Sequence, residues 1–236
     1  MTEPRPRQRT GLTRTTRVRA AFGLPIEPSA GRQRARTVRR RAIDDAKRLR
    51  AELETCTAAL VTGPSGAGKS LLIDALARSH PRCVRVEPVP RRIRKAPVDL
   101  IDRPLDEALT LLSRLGLADA RRLVTPAGRL SEGERARLAI ALAFDNARSI
   151  RDASGRAALV LADEFASTLD SPTASALAVA ARRTLPADTG LVAATAHDEL
   201  AAELRPDLLV FVPFEAPAEI HRLDPGRRGL CEHRRS

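Results

Sequence analysis

The chain has 236 residues, 43% of them hydrophobic, which is enough to enclose a substantial core and too apolar for a disordered polymer. No apolar run reaches the roughly 18 residues of a membrane span, and the Arg-rich start lacks the apolar segment of a secretory leader. The formal charge of +12 sits at the ends: residues 1–50 carry +11 and 221–236 carry +3, leaving 51–220 at −2. Cys56, Cys83 and Cys231 offer no framework of paired bridges, so a cytoplasmic setting is expected.

In chain order, residues 1–35 read as a basic, largely disordered arm, interrupted by a short apolar patch around Phe22. From Val38 the apolar positions Ala42, Ala46, Leu49 and Leu53 recur at helical spacing. A buried strand is expected at 58–62, a helix at 69–78, a strand at 83–86 and a Pro- and Arg-rich loop to Pro104. Helices follow at 105–115 and 132–147, then a continuous apolar strand at 157–162, a helix at 173–183 and strands at 191–195 and 208–212. Strands alternating with helices predict an α/β fold with a mainly parallel sheet covered on both faces. The expected domain spans 36–215, and 216–236 reads as a basic tail. His221, Cys231 and His233 match no standard zinc spacing.

Three motifs carry the chemistry. Gly63-Pro64-Ser65-Gly66-Ala67-Gly68-Lys69-Ser70 follows a predicted strand and opens a predicted helix, the context of a phosphate-binding P-loop (Walker A). Its glycines let the backbone turn tightly, and successive N–H groups and the helix N-terminus form an anion cradle. Lys69 suits the β- and γ-phosphates of ATP, and the Ser70 hydroxyl suits Mg²⁺. The apolar run Ala158–Ala162 delivers Asp163, a second Mg²⁺ ligand, and Glu164, placed to orient and deprotonate an attacking water. Between them, Leu130-Ser131-Glu132-Gly133-Glu134 opens a helix. The Ser131/Glu134 pair fits an ordinary capping box, and the same exposed helix start also suits a γ-phosphate.

The order of these motifs, followed by Ser167-Thr168-Leu169-Asp170 and then Thr195-Ala196-His197, resembles the ABC ATPase family over about residues 58–212. The resemblance implies a P-loop NTPase fold of ABC type with a reduced helical subdomain, since only 60 residues separate Ser70 from Ser131. It assigns the signature to Ser131, Glu132, Gly133 and Glu134, acting in trans on a partner copy. Catalysis falls to Lys69, Glu164 and His197, the last as γ-phosphate switch, and Asp170 ends the D-loop. It further implies an ATP-sandwich homodimer with ATP and Mg²⁺ as ligands. Pro104–Leu109, Asp163–Asp170 and Ala194–Asp198 look most like the soluble ABC ATPases associated with GNAT-type acetyltransferase domains.

Two departures from the family pattern bear on function. The only glutamines are Gln8 and Gln33, so the Q-loop glutamine of transporters is missing between the motifs. There is no Tyr or Trp to stack on adenine before the P-loop; Phe22 or an arginine plane would have to substitute. A non-transport ATPase is therefore expected. The alternatives are the ATP-binding subunit of a transporter and an ATP-regulated nucleic-acid-binding module. Nucleic acid or an acidic protein is the partner suggested by the Arg-rich ends, although arginine supplies 38 of the 41 basic residues and the bias is general.

Overall fold

The computed structural model describes residues 14–22, 28–53, 57–150, 158–186 and 189–223. The chain divides into two compact units, Met1–Arg40 and Arg41–Ser236. The first contains α1 (Arg14–Ala21) and the beginning of α2 (Pro28–Leu53). Helix thus replaces disorder over 14–21 and 28–35 of the expected arm. Arginine and alanine are good helix formers, and Pro28 occupies the first helical turn, where its missing N–H costs nothing.

The second unit is built on a six-stranded sheet. Its strands are β1 (Ala58–Thr62), β2 (Cys83–Arg85), β3 (Ala158–Ala162), β4 (Thr189–Ala194), β5 (Leu208–Phe211) and β6 (Glu219–Arg222). The spatial order is β2-β3-β4-β1-β5-β6, parallel throughout except for the antiparallel β5–β6 pair. Every residue of β1, β3 and β4 is buried, as strands covered on both faces require.

Alternate side chains feed two cores. Leu60, Val160, Leu191 and Ala193 pack with α4 (Leu105–Arg114), α6 (Glu132–Ser149) and α7 (Ser171–Thr184), through residues such as Leu112, Phe144 and Leu177. Ala59, Val61, Leu159, Leu161 and Val192 pack with Ala46 and Leu49 of α2 and with Leu72, Ile73 and Leu76 of α3 (Lys69–Ser79). Short helices α5 (Ala120–Val124) and α8 (Ala201–Leu204) complete the set, with 3₁₀ turns at Pro97–Asp99, Ala127–Arg129 and Asp198–Leu200.

The stretch read as a basic tail contributes β6, and residues 224–236 lie outside the described residues. Glu-Ile-His-Arg carries no alternating signal; backbone pairing and contacts with α2 hold it instead. The buried Asp45 carboxylate accepts from Ala218 N at 3.1 Å, Arg48 Nη1 donates to Ala218 O at 3.1 Å, and Arg41 Nη1 donates to Phe214 O at 2.9 Å. At the far end of the sheet, Asp207 accepts from the Thr57 and Ala58 amides, both at 2.8 Å, and from the Thr57 hydroxyl at 2.7 Å. Beside α4, the buried Asp145 carboxylate of α6 holds the Arg103 guanidinium and accepts from Asp102 N at 2.9 Å.

Two outcomes follow. Asp145→Ala strands Arg103 in a dry site and lowers unfolding free energy by about 3–5 kcal/mol in urea titration, and the double substitution Arg103→Met/Asp145→Leu recovers most of it. Burial pushes the Asp207 carboxyl up, but the hydrogen bonds from Thr57 and Ala58 and the Arg182 charge outweigh it, so its pKa lies below the ordinary value. Its stabilisation is therefore present above the usual carboxylate range and lost as pH falls through the folded-state value. Asp207→Asn flattens the acid limb of a stability-against-pH curve.

Candidate functional site

Three of the motifs read from the sequence, the P-loop, the Asp163–Glu164 pair and Thr195–His197, land at the carboxyl edge of the parallel strands, where open α/β sheets place ligands. The P-loop leaves β1, Asp163 and Glu164 leave β3, and Thr195–His197 leave β4, which lies between the other two. The ladder continues beyond the strand ends. Thr195 N donates to Val61 O at 3.0 Å and Phe165 N to Ala194 O at 2.7 Å, so the three turns are tied to one another by main chain.

The P-loop depends on three glycines with positive φ: Gly63 at 132°, Gly66 at 81° and Gly68 at 108°. Gly63 also tolerates no side chain, because a Cβ there would stand 2.4 Å from the Val212 carbonyl oxygen at the end of β5. Gly68 caps α3 in the left-handed region, turning the first amides of that helix toward the loop's concavity. Lys69 Nζ donates to the carbonyls of Gly63 and Pro64, folding over the loop it belongs to. Ser70 Oγ donates to Asp163 Oδ1 at 3.1 Å, closing the gap between β1 and β3 across the intervening strand.

Two clefts meet at the carboxylates. The first, of about 500 Å³, is lined by Ser65, Gly66, Gly68, Lys69 and Ser70 with Asp163, Glu164 and Ala194–Ala196. It has the size and the donors for a polyphosphate. The second, of about 280 Å³, lies under α6 and is largely apolar, with Glu132 and Arg135 among its walls. Asp163, Glu164 and Ser167 line both. Ser167 was read from sequence only as part of the Ser167–Asp170 run, with no role of its own.

Glu164 occupies this junction at a φ of 51°, and Ala166 follows at 58°. Such angles cost a non-glycine residue about 1–3 kcal/mol, a strain that concentrates at functional sites. Hydrogen bonds hold the turn: Glu164 N to Asp163 Oδ1 at 3.0 Å, Ser167 N to Glu164 O at 3.1 Å and Leu169 N to Ala166 O at 3.1 Å. Asp170 ends the turn as the cap of α7, accepting from Thr173 N at 2.8 Å, and that bond holds its carboxyl below the usual range.

His197 is presented by a bond from its own amide to the Oγ1 of the buried Thr195, at 3.1 Å. Its Nδ1 lies 3.1 Å from Glu199 Oε1. The Glu199 carboxyl is held below its ordinary pKa first by its own backbone amide and then by this imidazole. An ionised Glu199 at this distance accepts from Nδ1–H, which orients the ring and turns Nε2 away from Glu199. Thr195 was read from sequence only as part of the Thr195–His197 run and Glu199 not at all; the 3₁₀ turn at Asp198–Leu200 brings Glu199 back to the ring.

The signature residues stand apart from the polyphosphate cleft; of them, only Glu132 lines the adjoining one. The capping box is present in full: Ser131 N donates to Glu134 Oε2 at 2.8 Å and Glu134 N to Ser131 Oγ at 3.2 Å. Arg122 Nε lies 3.1 Å from Glu134 Oε1. Phe22 belongs to the first unit and has an exposed ring.

No protein-family model matches the sequence, and the curated proteins give no match. Solved structures do match, and they define the fold. One is an ABC transporter assigned to the metal-chelate type in an inward-facing conformation, at TM-score 0.51 and 17% identity over 70% of this chain and 72% of the other. A second is an ATP-binding cassette of an ABC transporter in its ADP conformation, at TM-score 0.51 and 15% identity over 66% of this chain and 76% of the other. A third is a bacterial Atm1-family ABC exporter with ATP bound, at TM-score 0.51 and 17% identity, where the match covers 70% of this chain and 33% of that one. The chain has the α/β P-loop NTPase fold of the ABC ATPase cassettes. No described helix is long and apolar enough to cross a membrane.

The loop geometry yields a graded test. Gly66→Ala meets no atom and loses only about 1–2 kcal/mol of stability for its left-handed φ. Gly63→Ala adds a backbone collision and is the more destabilising of the two in urea titration.

Proposed function

We propose that this chain binds ATP with Mg²⁺ and hydrolyses it, two copies enclosing two nucleotides head to tail. The observation that carries the reading is the Ser70–Asp163 contact at the mouth of the glycine cradle. A hydroxyl from the first turn of α3 and a carboxylate oxygen from the end of β3 converge there beside a lysine, the all-oxygen donor set that a hard divalent cation takes. Ser70 and Asp163 would hold Mg²⁺, which supplies charge neutralisation at the phosphate oxygens. Gly66, Gly68 and the first amides of α3 receive the phosphates, and Lys69 exchanges the Gly63 and Pro64 carbonyls for phosphate oxygens.

Glu164 then accepts a proton from water at the junction of the clefts, and His197, oriented by Glu199, follows directly on the Ala194–Ala196 wall of the cleft as a hydrogen-bond partner. Ser131 and Gly133 lie outside their own chain's polyphosphate cleft, which supports their acting on a second copy's nucleotide. The sequence likeness to GNAT-associated ABC ATPases and the missing glutamine favour a role other than transport.

A second reading is the nucleotide-binding subunit of a transporter. All three structural likenesses described above are to transporter cassettes, and the fold serves either role. Co-purification of the native protein with an integral membrane partner selects that reading; its isolation free of one selects the first.

Glu164→Gln is expected to bind ATP with unchanged affinity and to hydrolyse it about 100-fold or more slowly. It should accumulate as a dimer in ATP-Mg²⁺ by light scattering. A protein that stays monomeric at saturating ATP-Mg²⁺ contradicts the enclosed-nucleotide arrangement.

A further inference from the structure

The segment that links β2 to α4 carries Arg91, Arg92, Arg94 and Lys95, four cations in five consecutive positions. All four are exposed, as is Arg129 on the neighbouring segment. None of the five makes an ion pair among the described residues. Glu87 and Asp99 flank the run, four residues away on either side, and are the nearest acids in sequence. Since residues 51–220 together carry −2, this concentration runs against the balance of its own domain. General arginine bias does not account for it.

The cations are displayed by an ordered scaffold. Val89 and Pro97 are buried, and Ile93 packs on the main core between the charged residues. Ile93 N donates to Pro90 O at 3.2 Å, Gly128 N to Ile93 O at 3.0 Å and Ala127 N to Lys95 O at 2.9 Å. At position 128 only glycine fits, because a Cβ would stand 2.0 Å from the Arg91 carbonyl oxygen. The apolar side chains of the run point inward and the cations outward.

We propose that this loop is a docking surface for the phosphate backbone of a nucleic acid. Two features favour nucleic acid over an acidic protein, while an anionic membrane, which charge alone also attracts, is separated by the vesicle arm of the test. Protein interfaces centre on buried apolar or aromatic anchors, whereas the apolar residues of this run are engaged with the core. Arginine guanidinia, three of the four cations in the loop, pair bidentately with phosphate oxygens. The loop is bonded to residues 127 and 128, immediately before Leu130 and Ser131, so a polyanion on it bears on the start of α6. The binding itself does not depend on the ATPase reading; its effect on turnover does.

The experiment measures binding of the full chain to a short fluorescein-labelled duplex DNA by anisotropy, from about 50 to about 200 mM salt. Arg91→Ala/Arg92→Ala/Arg94→Ala/Lys95→Ala should weaken binding roughly tenfold or more and reduce the slope of log K against log salt by about 2–3. A control removing four cations from the first unit, Arg14→Ala/Arg17→Ala/Arg36→Ala/Arg39→Ala, should change affinity less than about threefold. Thermal unfolding confirms that both variants fold, and Arg94→Ala/Lys95→Ala serves if the fourfold variant does not. Equal losses in loop and control variants would mean bulk attraction and overturn the proposal. So would loop-dependent capture of phosphatidylserine vesicles or polyglutamate without loop-dependent DNA binding. DNA should also raise ATPase turnover in the wild type and not in the loop variant, whose basal rate is unchanged. Loop-dependent DNA binding by a chain without ATPase activity retires the ATPase reading and leaves this surface standing; an active ATPase whose DNA binding ignores the loop retires the surface alone.

Discussion

Main-chain hydrogen bonds that run on past the ends of β1, β4 and β3 are the constraint on which the site depends. The Thr195–Val61 and Phe165–Ala194 bonds extend the ladder into three functional turns, so P-loop, carboxylates and imidazole are positioned by one rigid edge rather than by three independent loops. β4 acts as a spacer here. It separates the lysine-bearing turn from the carboxylate-bearing turn by one strand, and the Ser70–Asp163 contact spans that distance. Every side chain of the three strands is buried, and two apolar cores hold the sheet from either side.

Much of this was legible because the chemistry and the core use strong local signals. Continuous apolar runs marked β1, β3 and β5, and the glycine spacing marked the turn that follows β1. Helical spacing from Val38 onward located the buried face of α2. What escaped notice relies on contacts distant in sequence. β6 is a mostly polar strand, defined by its ladder to β5 and by the bond from Ala218, just before it, to Asp45, 173 residues earlier. Glu199 matters only because a 3₁₀ turn returns it to His197. The helices within 1–35 were missed for another reason: low apolar content read as disorder, whereas arginine-rich segments keep a high helix propensity.

The start of α6 illustrates how one geometry serves two ends. The capping box satisfies the first amides of the helix within the chain, and Arg122 steadies Glu134 from outside. That makes the segment stable on its own account. The segment lines no part of the polyphosphate cleft of its own chain, and of its residues only Glu132 lines the adjoining cleft.

The left-handed backbone at Glu164 and Ala166 sets the thermodynamic interest of the fold against its chemistry. Glycine at 164 would relax that turn and remove the carboxylate in one step. Stability alone would therefore favour glycine over glutamate at this position. A glutamate held in this conformation costs the fold stability in every folded molecule, whatever the turn is used for.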